Sequence, residues 1–292
     1  MTAVPCNALT VPRIAIIGGG SIGEALLSGL LRAGRQVKDL VVAEKFPERA
    51  KYLADTYSVL VTSVADAAEN ATYVIVAVKP ADVDAAIGEI AGAVAKADDN
   101  SEEQVVVSVA AGVSTSFYES KLPAGAPVIR VMPNAPMVVG GGVSALSRGR
   151  FATDEHLKEV SAIFDTVGGV LTVPEVQLDA VTAVSGSGPA YFFLMVEALV
   201  DAAVASGLSR GVATDLVSQT MAGSAAMLLD RLDSAPDTAL DTTAAQLRAI
   251  VTSPGGTTAA GLRELERGGL RSAVADAVAA AKTRSEQLGI TS

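Results

Sequence analysis

Cysteine and histidine each occur once in this 292-residue chain, tryptophan is absent, and aromatic residues make up 4% of it. The lone Cys6 cannot close an intramolecular disulfide, and no Cys/His cluster exists to hold zinc, so no metal site is expected. Any Ser-His or Cys-His nucleophile would have to run through His156, which sits in the polar run Thr153-Asp154-Glu155-His156 and reads as an exposed helix start. Positive charge is also scarce: 22 Lys and Arg face 32 Asp and Glu, a net charge of −10, with the bases scattered singly or in pairs. A polyanionic partner, nucleic acid or anionic bilayer, is therefore not expected, because no basic patch reverses the field. Residues 1–11 lack a basic start followed by an apolar run, so no signal peptide is expected. The longest apolar stretch, 190–208, is interrupted by Glu197 and Asp201, which favours a buried helix over a membrane span. These absences leave a cytoplasmic protein, and 292 residues suffice for two cores.

What is present is a hydrophobic half (50%) and 27 glycines. Residues 13–17 form a short β-branched run that stops at three glycines; further apolar runs at 40–43, 59–62, 73–78, 105–109 and 128–132 alternate with helical or mixed segments. Continuous Val/Ile strands between helices are what a parallel sheet covered on both faces requires. The expectation is an α/β, doubly wound, mostly parallel sheet over residues 1–173. Beyond Pro174 the β-runs stop, and helices are predicted at 177–184, 189–206, 210–232, 239–251, 258–267 and 270–287. They are apolar nearly all the way round, more than one thin helical layer hides, so residues 174–292 read as an all-α domain that packs against a second copy.

Gly18-Gly19-Gly20-Ser21-Ile22-Gly23 is a G-x-G-x-x-G that follows a strand and opens a helix, the context that makes the motif informative. Gly18 permits a tight turn, Gly20 lets a pyrophosphate approach the backbone, Gly23 lets the helix lie close, and the helix N-terminus supplies amide donors. Glu44 stands 21 residues after Gly23, where a carboxylate accepts the hydroxyls of an NAD ribose; Lys45 and Arg49 beside it would instead neutralise a 2′-phosphate. Both NADH and NADPH stay open. Ala77, Val78, Lys79 and Pro80 follow the fourth strand, and Val109, Ala110 and Ala111 the fifth, on the carboxyl edge where small residues leave room for a nicotinamide. Asn134, in the rigid Met132-Pro133-Asn134-Ala135-Pro136 turn, offers an amide. Ser185-Gly186-Ser187-Gly188-Pro189 reads as a polar loop before a helix, and Thr252-Ser253-Pro254-Gly255-Gly256-Thr257-Thr258 as a loop presenting amides and hydroxyls at a positive helix end, suited to a small carboxylate.

Taken in order, these segments resemble pyrroline-5-carboxylate reductase from residue 13 to residue 288. The resemblance implies NAD(P)H-dependent reduction of Δ1-pyrroline-5-carboxylate (P5C) to L-proline, a Rossmann-type domain, and a helical dimerisation domain whose dimers often join into rings. By position it implies that Ile17, Gly18, Gly19, Gly20, Ser21 and Ile22 hold the pyrophosphate. Gly256 and Thr257 would offer amides to the substrate carboxylate beside Ser253, with Thr258 next to the ring nitrogen. The family's His-Pro-Gly element and the Leu-Lys-Asp that follows it are missing: this chain reads Asp241-Thr242-Thr243-Ala244-Ala245-Gln246-Leu247-Arg248-Ala249 there, which puts contacts from that segment in question. The chemistry agrees with the resemblance. A ketone reductase places an acid beside the developing alkoxide, and the carboxylate loop has none. A cyclic imine is more basic and takes its proton from a hydroxyl such as Thr258 or from water. The alternatives are a keto-acid or hydroxy-acid dehydrogenase with Lys79 as its acid, and a dinucleotide-sensing binding protein.

Overall fold

The computed structural model describes residues 12–94, 103–233 and 243–290. Cys6, the leader reading of residues 1–11, and Asp241 and Thr242 lie outside the described residues. By contacts the chain forms two compact units, Met1–Ser187 with Ala280–Ser292, and Gly188–Ala279.

The first unit is built on β1 (Ile14–Ile17), α1 (Ser21–Arg32), β2 (Leu40–Ala43), α2 (Pro47–Tyr57), β3 (Leu60–Thr62), α3 (Val64–Ala68), β4 (Tyr73–Val76), α4 (Val83–Val94), β5 (Val105–Ser108), α5 (Thr115–Lys121), β6 (Val128–Met132), β7 (Gly142–Arg148), α6 (Asp154–Asp165) and β8 (Gly168–Thr172). One eight-stranded sheet runs in the order β3-β2-β1-β4-β5-β6-β7-β8, parallel throughout except where β6 meets β7. Alternation along the strands explains the two covered faces. Ile14 and Ile16 join a core with Leu26, Leu30 and Phe164, from α1 and α6. Ala15 and Ile17 point the other way, to Ile87, Ile90 and Tyr118 from α4 and α5. Each fully buried Ile or Leu contributes about 1.5–3 kcal/mol, so the central strands are fixed in register by both faces. The expected parallel, doubly wound sheet is observed, with β7 and β8 added to the six strands read from the sequence.

After β8 come α7 (Leu178–Val181), a π-helical turn (Thr182–Gly186), α8 (Gly188–Ala205), α9 (Arg210–Asp233), α10 (Thr243–Ile250), α11 (Thr257–Arg267) and α12 (Leu270–Ile290). The all-α reading of this half holds, with one correction. The segment at 185–187 is not an open loop: Ser187 N–H donates to the Thr182 carbonyl (2.8 Å), so the chain stays helical through it. Residues Glu175–Ala205 are long and apolar enough to cross a membrane, and little of that stretch is buried within the single chain. Phe192, Phe193, Leu194 and Leu199 are all exposed in the single chain. Within the first unit, the last turns of α12 return to the sheet: Ser285 donates to Asp179 (2.6 Å), and Gly289 lies against the Gly112 carbonyl.

Candidate functional site

The glycine turn is shaped by close backbone approach. Gly18 has φ +107°, and a Cβ there would sit 2.7 Å from the Ala77 carbonyl oxygen, so only glycine fits. Its N–H donates to the Ala43 carbonyl (2.8 Å) and Ala77 N–H donates to Ile17 (2.8 Å), tying the turn to the ends of β2 and β4. A Cβ on Gly23 would overlap the Gly18 carbonyl, which keeps α1 pressed on the loop. Gly20 differs: nothing lies within 4 Å of its would-be Cβ, and as the N-cap of α1 it has no side-chain cap. An open, uncapped helix end bordered by tight glycines is the cradle a dinucleotide pyrophosphate requires, and the residues present fit such a cofactor.

Around this turn the charged residues form a network. Glu44, just past β2, accepts from Gly19 N–H (3.0 Å) and Phe46 N–H (2.9 Å). Arg49 Nε donates to the Gly19 carbonyl (2.7 Å), and its Nη2 pairs with Glu24. Glu24 also accepts from Tyr57 (2.8 Å) and Tyr52 (3.1 Å). Burial works upward on the Glu24 carboxyl, but the bonds from Arg49 and the two tyrosines outweigh it and hold the group below its ordinary range. Tyr57 is pushed up to about 12, by burial first and then by Glu24. Lys45 is drawn to Asp82, 2.8 Å away. Ser21 and Ile22 open α1, where a groove lined by Ser21, Glu24, Ser28, Tyr57 and Val138 begins.

The other expected cofactor positions gather on the same carboxyl edge. Ala77 and Val78 are half-buried, whereas Lys79 and Pro80 are exposed on the turn after β4. Val109 and Ala110 are buried after β5, with Ala111 half-buried, and Val109 N–H donates to the Val76 carbonyl (3.1 Å). Asn134 has a bracing role that the sequence did not show. Its Oδ1 accepts from Val143 N–H (2.9 Å), and its Nδ2 donates to Ser185 (3.3 Å), linking the turn after β6 to β7 and to the π-helical turn. His156 lies at the start of α6, where Thr153 and His156 form a reciprocal cap.

In the second unit, Gly255 (φ +69°) turns the chain into α11, whose N-cap is Gly256. Gly256 N–H donates to the Ser253 carbonyl (3.1 Å), and no side chain caps the helix. Of the amides expected here, Gly256's is thus occupied by the loop itself, which leaves the first-turn N–H groups of α11, from Thr257 onward, as the open donors. Ser253, Thr257 and Thr258 are exposed, so three hydroxyls surround a positively polarised helix end. Among the described residues, no group of three or more His, Cys, Asp or Glu side chains could hold a metal ion.

A family model described as pyrroline-5-carboxylate reductase dimerisation matches residues 175–288, and one described as NADP oxidoreductase coenzyme F420-dependent matches residues 13–112. The pyrroline-5-carboxylate reductase of Mycobacterium tuberculosis (strain H37Rv) is 70% identical over 287 residues, covering 96% of this chain and 97% of that one. The solved structure of a pyrroline-5-carboxylate reductase from Coxiella burnetii matches with a TM-score of 0.85 at 32% identity, over 95% of this chain and 98% of that one. A Plasmodium falciparum pyrroline carboxylate reductase solved with NADP bound gives a TM-score of 0.78 at 28% identity, over 95% and 98%. With the glycine turn and the open α11 terminus lying inside these full-length matches, the chain belongs to the pyrroline-5-carboxylate reductase family.

Proposed function

We propose that this protein reduces Δ1-pyrroline-5-carboxylate to L-proline with NAD(P)H, the last step of proline biosynthesis, as a cytoplasmic homodimer. The observation that carries the reading is the uncapped N-terminus of α11, an anion site that no side chain fills. The division proposed is a cofactor domain over residues 1–173 and a dimerisation and substrate domain over 174–292; the dimerisation match beginning at residue 175 supports it. The glycine turn, Ile17 to Gly23, holds the pyrophosphate. Glu44 and Lys45 meet the adenosine ribose, and Ala77, Val78, Lys79, Pro80, Val109, Ala110 and Ala111 border the nicotinamide.

When bound, NAD(P)H supplies the hydride for the imine carbon. The first-turn amides of α11, Thr257 foremost, pin the substrate carboxylate, with Gly256 shaping the turn and the Ser253 hydroxyl beside it. The Thr258 hydroxyl hydrogen-bonds the ring nitrogen and steadies its proton. Asn134 spends one amide N–H on Ser185, which leaves the second for the substrate. Most of the rate enhancement then comes from positioning. A P5C-dependent fall in absorbance at 340 nm tests the activity. Thr258→Ala should lower kcat about tenfold to a hundredfold with cofactor affinity kept; wild-type turnover would sink the role given to this hydroxyl.

A second copy covers the exposed apolar residues of α8, and dimers joined as a ring of five make a decamer. Light scattering then reads about 59 kDa for the dimer, twice 29.5 kDa, or about 295 kDa for the ring. A monomer that floats with phospholipid vesicles would replace the second copy with a bilayer.

A further inference from the structure

The end of β2 meets the adenosine ribose, and the charges there are already committed. Both Glu44 oxygens are held by backbone donors, Gly19 N–H at 3.0 Å and Phe46 N–H at 2.9 Å. The carboxylate cannot swing into solvent without stranding both. Arg49 is fixed by the Gly19 carbonyl (2.7 Å) and by Glu24, which two tyrosine hydroxyls hold in turn. Lys45 is paired with Asp82. Each of the two bases that would receive a 2′-phosphate therefore has its own acid, and Glu44 is left as one unbalanced negative charge clamped beside the loop.

We propose that this site selects NADH over NADPH: the fixed Glu44 carboxylate accepts the hydroxyls of an unphosphorylated adenosine ribose and repels a 2′-phosphate, while Glu24 and Asp82 keep Arg49 and Lys45 from compensating. The proposal rests on the reductase reading only in requiring a dinucleotide on the glycine turn. The two pairs differ in strength. Arg49 and Glu24 are about one-third and one-fifth exposed and have three further partners between them, the Gly19 carbonyl and the Tyr52 and Tyr57 hydroxyls, so that pair is hard to break. Lys45 and Asp82 are 62% and 42% exposed, and such a pair is a weak tie. Of these two bases, Lys45 is thus the one a 2′-phosphate can recruit, and Asp82 is what opposes the recruitment.

Calorimetric titration with NAD⁺ and NADP⁺ tests this without turnover. The wild-type protein should bind NAD⁺ at least about tenfold more tightly, the equivalent of one unfavourable charge contact. Glu44→Gln, which keeps an acceptor for the Gly19 N–H, should bring the two affinities within about threefold. Asp82→Asn should tighten NADP⁺ several-fold and so narrow the ratio from the other side. The kcat/KM ratio for the two reduced cofactors should follow the same order. Equal or tighter NADP⁺ binding by the wild type, or an unchanged ratio in Glu44→Gln, would overturn the proposal. Failure of both dinucleotides to bind would overturn the cofactor site itself, a different outcome from a reversed preference.

Discussion

Gly18 and Gly20 stand two residues apart in one turn, yet substituting each with alanine should have opposite consequences. At Gly18 the backbone has φ +107°, a conformation that costs a non-glycine residue about 1–3 kcal/mol. Its new Cβ would lie 2.7 Å from the Ala77 carbonyl oxygen, against the 3.4 Å of ordinary contact, an overlap of about 0.7 Å with backbone. The turn cannot relax, because Gly18 N–H is bonded to Ala43 and Ala77 N–H to Ile17. Overpacking adds a further 1–3 kcal/mol or so. Gly18→Ala should therefore lose about 2–6 kcal/mol and drop the melting temperature by about 4–24 °C. Gly20→Ala meets nothing within 4 Å and keeps an ordinary extended backbone, so its melting temperature should stay within about 2 °C. The methyl would instead fill the space above the α1 terminus, and dinucleotide affinity should fall at least about tenfold. Scanning fluorimetry and calorimetry on both variants read the two quantities separately. A Gly20→Ala protein that binds the cofactor normally would refute the assignment of that space to the phosphates.

Three further outcomes are expected. Arg130 is buried and meets Glu175 at 3.3 Å, while Glu175 also accepts from Thr115 N–H and Oγ1. Glu175→Ala strands a buried guanidinium and should cost about 3–5 kcal/mol in urea denaturation, whereas Arg130→Met leaves both Thr115 bonds in place and should cost about 1–2 kcal/mol; equal losses would refute the asymmetry. Tyr118 is pushed up to about 12 by burial, against 10 unfolded, so its contribution to stability is complete below pH 10 and is lost as the pH rises through 12. Two units correspond to about 2.7 kcal/mol at most, and a native protein in which all five tyrosines ionise together near pH 10 at 295 nm would contradict this. Phe193→Asp places a charge on the exposed apolar face of α8 and should turn dimers into monomers by light scattering while leaving the cofactor affinity of each chain within about twofold; an unchanged mass would remove Phe193 from the interface.

What could be read from the sequence follows from which forces are local. Strands β1, β2, β4, β5 and β6 announce themselves because parallel strands buried on both faces must be continuously apolar, as Ile14-Ala15-Ile16-Ile17 and Tyr73-Val74-Ile75-Val76 are. Strand β7 breaks that pattern: Ser147 is buried where β7 runs antiparallel to β6, Ser144 is buried opposite Val170 of β8, and nothing in Gly142-Val143-Ser144-Ala145-Leu146-Ser147 marks the two serines as core. β8 opens on two glycines at the sheet edge and reads as a turn. The π-helical turn escaped because Ser185, Gly186 and Ser187 carry the composition of a loop, and one 5-residue hydrogen bond overrides it. At the site, residue identity was legible and commitment was not. Glu44, Lys45 and Arg49 could be named as an acid and two bases beside a ribose, which leaves the cofactor undecided. Their partners decide it, and these lie elsewhere in the chain: Glu24 is 25 residues from Arg49, and Asp82 is 37 from Lys45. A fold that neutralises both bases while clamping the acid converts an ambiguous cluster into a directional one, so charge pairing across the sheet edge, more than the motif at β2, sets which dinucleotide the protein prefers.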